Sequence, residues 1–543
     1  MRPVYWTAAA VLVLYLGVGV FDHEIWAPTE TTVSGIVWSM VASGELAVPR
    51  INGLAYLEKP PLYYWAAWAS ARLGGGLTPG TLRLPAALCG LLALFALYCT
   101  LRLRYSEWTS CAATLLVATI VPFYELSHRA STDIAATAAS CVCFALFARS
   151  LVREPGSGGT ARLDALFAGA LAVSFFAKNF YTFLIVVPPV LVMLAWRREW
   201  RRALWMLAVA CLAWIALVGP WIHALYEAGG TSYLRVVFFD NTLGRFFALP
   251  APGFDPGPLN DAFVAEKRGS LFFYLARLPA VLAPWSLLVG LGVLRLWRAR
   301  PLDDLRRFAA LGLVLIPLFL SLSSSKVTEY VMPVVFFAGM ALAEWLASLQ
   351  ADVPRFRFER SVSLGSLALV GVAALVAPLV LAWLRGAWSW ALVTPLLAAL
   401  AWPVWGRLRQ ASPGAEAWGR AGLLVALALA LALTAAIPLL DAHKSYAPFF
   451  AEVQREARGR RVVTPLLGDH SLPLMTYYLR RRVEVLDEAQ VYAVLAGDAR
   501  VAAILRARSY DAAPERITGI AGVRVSPIRG HQKLVLAVNH AER

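Results

Sequence analysis

Over its first 440 residues the chain alternates long apolar runs with short polar breaks, and after that its pattern changes. Runs of about 17–25 apolar residues, long enough to cross a bilayer as a helix, fall at about 5–21, 82–101, 108–126, 133–151, 163–177, 180–196 and 203–225. They continue at about 274–296, 305–323, 329–349, 361–384, 388–406 and 421–440. The pattern predicts a mostly α polytopic membrane protein with about thirteen transmembrane helices. Only Lys178-Asn179 separates the fifth run from the sixth. Two polar interruptions are long, about 22–81 and 226–273. In the first, Val33, Ile36, Val37 and Met40 recur at helical spacing, which predicts a helix from Thr29 to Val41 lying on the membrane surface. Pro28 ahead of it suits a helix start, and Glu30 falls in the first turn, where the helix dipole favours an anion. A second short helix is expected over Leu62–Arg72. Beyond residue 440, helical patterns (Lys444–Arg458, Pro473–Arg480) alternate with strand patterns (Arg461–Leu466, Val483–Leu486, Val501–Leu505, Leu534–Val538). Residues 441–543 therefore read as a small α/β domain, and residues 1–440 as the membrane domain.

Composition supports that division. Hydrophobic residues make up 59% of 543 and the mean hydropathy is +0.62, which excludes an ordinary soluble protein. A net charge of +16 suggests nucleic acid until the arginines are placed. They crowd short loops such as Arg102/Arg104, Arg197/Arg198/Arg201/Arg202 and Arg295/Arg298/Arg306/Arg307, the pattern of cytoplasmic loops. The two long interruptions are poorer in Lys and Arg and so face outward. With the N-terminus inside, an odd number of spans puts the C-terminal domain outside as well. The N-terminal apolar run resembles a signal peptide without a convincing cleavage site and reads as an uncleaved span. All six cysteines lie in or beside apolar runs, so neither a disulfide framework nor a cysteine metal site is expected.

Chemistry concentrates in Tyr56-Leu57-Glu58-Lys59-Pro60-Pro61-Leu62-Tyr63-Tyr64-Trp65. Pro60 forces Lys59 into an extended conformation, and two opposite charges held this way at a bilayer surface suit a ligand. The competing reading is an interfacial aromatic belt with solvated charges. Further ionisable residues fall at the outer ends of spans: Glu24, Glu30, Arg83, His128, Arg129, Asp133, Lys178, Arg245, and Lys326 with Tyr330. Each alone reads as a solvated or snorkelling end, and as a set they mark a site. Asp133 also reads as a helix cap. No phosphate-binding loop is present, so any work must draw on an activated substrate or an ion gradient.

Trp26–Glu30, Met40–Leu46, Val48–Gly53 and Glu58–Trp65 follow the order seen in bacterial membrane glycosyltransferases of the GT-C superfamily. So do Arg83-Leu84-Pro85, Thr132-Asp133, Lys178-Asn179, Asn241–Phe246 and Ser323–Lys326 with Tyr330. The chain resembles the group of the lipid A aminoarabinose transferase and the dolichyl-phosphate-mannose-protein mannosyltransferases. The resemblance covers the first 340 residues by motif and the rest by layout. It implies transfer of a sugar, with inversion, from an undecaprenyl-type polyprenyl phosphate to a lipid, glycan or protein acceptor on the outer face of the inner membrane. It implies Lys59, Arg83, Lys178, Arg245 and Lys326 as phosphate-binding cations, and Tyr63, Tyr64, Tyr330 and Asn241 as substrate contacts. Glu30, Asp133 and Glu58 are then the candidate catalytic carboxylates, with Glu24 behind them.

Two departures bear on this. Thr29 stands where the family usually carries an Asp, and a hydroxyl is no general base near neutral pH. The family's metal-binding His after the Arg-Phe pair is also missing: Arg245-Phe246-Phe247 runs into Ala248-Leu249-Pro250. A divalent metal stays a candidate only through Glu58, and no other cofactor is expected. An acceptor that is already anionic would need no base. A lipid-linked-sugar binder and a polyprenyl-lipid transporter without transferase activity are the alternatives. A transporter predicts mid-span charges and an inverted repeat, and neither is found.

Overall fold

The computed structural model describes residues 2–154, 156–247, 270–299, 302–349, 357–386, 388–409, 414–465, 470–529 and 533–539. Part of the second long interruption (248–269) lies outside them. The membrane domain is a bundle of apolar helices. Among the described residues, seven helices are long and apolar enough to cross a membrane, or nine if each of two sharply bent pairs counts as one span. Three more apolar helices, Pro3–Gly17, Tyr181–Trp196 and Val334–Ser348, are shorter. The expected run at 388–406 folds as a shorter helix too, Val393–Leu408. The runs at 108–126 and 274–296 each fold as two helices, bent by 72° and 114°.

The run expected to end near residue 225 continues as a helix, Trp200–Arg235, and then as a π-helix, Val236–Gly244. Gly230, at φ +64°, breaks the helical path between Trp200 and Arg235. The polar reading of 226–247 fails there because Val236 and Val237 find a buried apolar cluster around Phe175, Phe176 and Trp221.

Among the described residues, seven strands complete the structure. Strands β1 (Arg50–Ile51) and β2 (Leu54–Ala55) form a hairpin in the first long interruption. Strands β3 (Arg461–Thr464), β4 (Glu484–Val485), β5 (Val501–Arg506), β6 (Val523–Val525) and β7 (Leu534–Asn539) form one sheet in the order β4-β3-β5-β7-β6. β3 runs parallel to β4 and β5, and β7 runs antiparallel to β5 and β6. Side chains alternate across a strand, so Val462, Ala502 and Ile504 join the core that continues into the helical bundle. Val463, Val501 and Ala503 close a separate core with Val491, Leu495 and Ile517 on the other face.

Helix Thr29–Ser43 forms as the spacing predicts, and it is buried in protein along much of its length. Helix Ser471–Leu479 of the C-terminal part covers it, and Gly35 makes that approach possible. A Cβ at Gly35 would lie 2.3 Å from Pro473 Cβ and 2.6 Å from its Cα. Asn52 bonds both main-chain groups of Val483, donating to its O and accepting from its N, each at 2.8 Å. The Trp26 indole and the Glu24 amide both donate to Asp441, at 2.9 and 3.0 Å. We expect Gly35→Ala to strain this seam by about 1–3 kcal/mol. Limited proteolysis in detergent should then cut between the helical bundle and the sheet earlier than in the parent. An unchanged digestion time would show that the two helices slide apart without cost.

Candidate functional site

The hairpin is what aims the central charged pair. Asn52 (φ +55°) and Gly53 (φ +89°) make a two-residue turn with both φ positive, the geometry that Asn-Gly favours between antiparallel strands. Strand β2 leads directly into Tyr56, whose amide donates to Pro49 O at 2.8 Å. Two residues further on, and so on the same side of an extended chain, Glu58 accepts the Tyr56 hydroxyl at 2.6 Å and Arg245 Nη2 at 2.9 Å. Asn241 Nδ2 donates to Leu57 O at 3.0 Å, tying the π-helix to the same loop. Burial pushes the Glu58 carboxyl up, but the Arg245 and Lys59 charges and the Tyr56 hydroxyl outweigh it and hold it well below the usual carboxylate range.

Glu58 and Lys59 border a cavity of about 520 Å³. Its polar side also carries Lys178, Asn241, Arg245 and Tyr330, and its apolar side carries Phe180, Leu184, Phe238, Phe246, Phe247 and Leu320. Among the described residues, no acceptor lies within hydrogen-bonding distance of the Lys59 ammonium. Burial lowers its pKa, while the charges of Glu58 and Asp133 raise it further, so the group stays protonated. Lys178 ends its helix, and Asn179 (φ +50°) turns the chain. The Lys178 ammonium donates to the Asp133 carboxylate and sits 3.5 Å from the centre of the Tyr330 ring and 4.6 Å from that of Tyr181. Asp133 also accepts the Ser131 hydroxyl at 3.0 Å. Ser131, not Asp133, is the helix cap, bonding the Asp133 amide at 3.1 Å.

The structure does not bring the other candidates to the cavity wall. Glu30 and Arg83 form a buried two-pronged pair, Oε1 to Nε and Oε2 to Nη2, both at 2.7 Å. Glu30 further accepts the Trp26 and Ala130 amides, and Arg83 donates to the carbonyls of His23 and Glu24. Each charge is satisfied within the protein, and neither Glu30 nor Arg83 lines the cavity that holds Glu58 and Lys59. Lys326 is also turned inward, donating to Ser321 O at 2.6 Å and Ser323 O at 2.8 Å, so it staples its own loop. Tyr63 is core, its hydroxyl on Leu82 O at 2.8 Å. Tyr64 is buried behind Lys59, whose charge offsets part of the rise that burial gives its phenol. His128 faces the carbonyls of Tyr124 and Tyr15, Arg129 bridges Glu125 and Glu329, and Glu24 holds the Tyr478 hydroxyl.

A metal at Glu58 does not fit this arrangement. Its neighbours are two cations and a phenol, and the described residues contain no group of three His, Cys, Asp or Glu side chains that could hold an ion. Sequence reasoning included Tyr56 and Asn52 in its motifs without giving either a role, and it passed over Tyr181. The first was readable from its two-residue offset to Glu58 and the second from the Asn-Gly turn signal. The third, three residues after Lys178, carried no signal of its own.

A helical bundle holds the charged cavity, and helix Ser471–Leu479 of the sheet-bearing tail packs on helix Thr29–Ser43. Residues 58–223 match the model of the dolichyl-phosphate-mannose-protein mannosyltransferase family. The chain is 30% identical over 367 residues to the undecaprenyl phosphate-alpha-4-amino-4-deoxy-L-arabinose arabinosyl transferase of Pseudomonas paraeruginosa. That match spans 67% of this chain but only 63% of the relative's length. A Pseudomonas fluorescens transferase of the same name is 26% identical over 82% of this chain and 76% of its own. The crystal structure of ArnT from Cupriavidus metallidurans bound to undecaprenyl phosphate superposes with a TM-score of 0.75 at 18% identity, covering 98% of this chain and 97% of that one. Its apo form gives 0.77. The chain thus has the GT-C fold and is a relative of the aminoarabinose transferases and the protein mannosyltransferases.

Proposed function

We propose that the chain transfers a sugar from a polyprenyl-phosphate donor of the undecaprenyl type to an acceptor on the outer face of the inner membrane, inverting the anomeric carbon. One observation carries the reading: the cavity joins a cationic end to an apolar wall, as a lipid phosphate requires. Lys59, with no hydrogen-bonded partner among the described residues, takes the donor phosphate, and Lys178 and Arg245 flank it. The prenyl chain lies along Phe180, Leu184, Phe238 and Leu320. The acceptor oxygen attacks the anomeric carbon, the bond from that carbon to the phosphate oxygen breaks, and the cations stabilise the charge on the departing polyprenyl phosphate. The arginine-dense loops favour an N-terminus in the cytoplasm and residues 441–543 outside.

The state of Glu58 favours one kind of acceptor. A carboxylate held well below its usual range is a poor proton acceptor, and Asp133 is occupied by Lys178. Both suit an acceptor oxygen that is already ionised, such as the phosphate of an envelope lipid like lipid A, over a sugar or protein hydroxyl. The same two pairings favour the second reading, a lipid-linked-sugar binder that does not transfer. The deciding measurement is label transfer from radiolabelled undecaprenyl-phosphate sugars to a membrane lipid extract. A labelled product supports transferase activity, and donor binding without product leaves the binder.

The Glu58 assignment has a pH consequence. Its folded-state pKa is depressed, so its ion pair with Arg245 is fully formed above the ordinary carboxylate range and is lost only as pH falls through the folded-state value. From about pH 5.5 to 8, above the ordinary Glu pKa, Glu58 should impose no inflection on the rate. Glu58→Gln should lower the rate without changing the profile's shape. An acid limb that disappears in the Gln variant would make Glu58 a proton acceptor after all.

A further inference from the structure

The C-terminal sheet carries a second crevice that the proposed transfer does not use. Strands β4, β3 and β5 are parallel with β3 in the centre, so the chain leaves β3 towards one side for β4 and returns past β3 to the other side for β5. The connecting helices lie on opposite faces: Ser471–Leu479 joins the core shared with the bundle, and Glu488–Ala496 joins the outer core. That is the doubly wound arrangement. In such sheets, ligands bind outside the carboxyl ends of the strands, where the winding reverses. Here the reversal lies between β3 and β5. A cavity of about 180 Å³ opens there, bordered by Pro465, which follows β3, and by Leu505 and Arg506, which end β5.

The remaining border selects the ligand. Glu488, Tyr492, Ser509, Tyr510 and Ile517 complete it. The Tyr492 hydroxyl donates to Glu488 Oε1 at 2.7 Å, which fixes both groups. Arg529 lies over the Tyr510 ring and is itself held by Asp511 at 2.9 Å, which steadies that ring. The border carries both signs: Glu488 and Arg506 line it, and Arg516 lies beside Tyr492. A neutral polyol suits both, because each hydroxyl donates and accepts, and the tyrosine rings offer apolar surface to a pyranose face. We infer that this crevice binds one neutral hexopyranose unit of an envelope glycan, separately from the cavity at Glu58 and Lys59. The inference rests on the proposed outward placement of residues 441–543, where such glycans are found.

The test uses the full chain in detergent and saturation-transfer NMR with methyl α-D-glucopyranoside, mannopyranoside and galactopyranoside. At least one should show saturation transfer. Its affinity should fall by about tenfold or more in Tyr510→Ala and in Glu488→Gln. Ser509→Trp, at an exposed position, blocks the crevice without removing any core atom and should have the same effect in a folded protein. Lys59→Ala should leave this binding unchanged. No saturation transfer from any of the three, or binding that survives Ser509→Trp, overturns the inference. Label transfer from the polyprenyl-phosphate sugar, followed in parallel, reads the other cavity. Sugar binding at the crevice without label transfer would count against the transferase reading alone.

Discussion

Replacing Lys59 with alanine is expected to cut sugar transfer by about 100- to 1,000-fold, the usual cost of removing one preorganised charge donor from a developing anion. The size of the effect follows from how Lys59 differs from its neighbours. Lys178 already spends its ammonium on Asp133 and two tyrosine rings, and Arg245 is committed to Glu58. Lys59 alone of the three reaches the cavity without a hydrogen-bonded partner among the described residues. Its removal should therefore not expose an unpaired carboxylate, and the fold should survive. Arg would restore charge but not a compact ammonium, so Lys59→Arg should recover transfer only in part. The measurement is initial rate against donor concentration for parent, Ala and Arg forms. A loss confined to KM at unchanged kcat would mean that Lys59 holds donor and transition state equally well. An Ala variant at full activity would move the phosphate elsewhere in the cavity.

The parts of this site that were legible in the sequence are the ones set by local chain stiffness. Glu58-Lys59-Pro60-Pro61 announces a fixed extended pair because proline dictates its own φ and restricts its predecessor. Lys178-Asn179 announces a helix end followed by a turn, since asparagine tolerates positive φ. What composition and spacing do not carry is the choice of distant partner. Glu30 and Arg83 looked like site charges for the same reason as Glu58 and Lys59: each lies near the outer end of a span. Only the fold shows that the first two satisfy one another and the second two face a cavity. The surface helix was legible as a helix and not as a covered one, because its cover comes from Pro473, more than 400 residues away in the chain. A hydropathy window also averages over a bend, and Pro122 and Pro284 sit at the two bent pairs.

The Glu30–Arg83 pair also gives the largest expected effect on stability and separates a structural carboxylate from a catalytic one. Burial pushes the Glu30 carboxyl up, but the Arg83 charge and its hydrogen bonds hold it below the usual carboxylate range. Glu30→Ala leaves the Arg83 guanidinium, almost fully buried, without its anion, which costs about 3–5 kcal/mol when one partner of a buried pair is removed. The His23 and Glu24 carbonyls still accept from Arg83, but neither carries charge. The variant should lose thermal stability in detergent and, with it, most of its activity. Glu30→Met with Arg83→Met replaces both charges by apolar volume and should recover much of that stability, since such swaps of buried pairs are often neutral or stabilising. Activity should return with the fold. If the double variant is as stable as the parent yet inactive, one of the two residues takes part in the chemistry. The cavity at Glu58 and Lys59 would then extend to a second pair of charges that this structure holds closed.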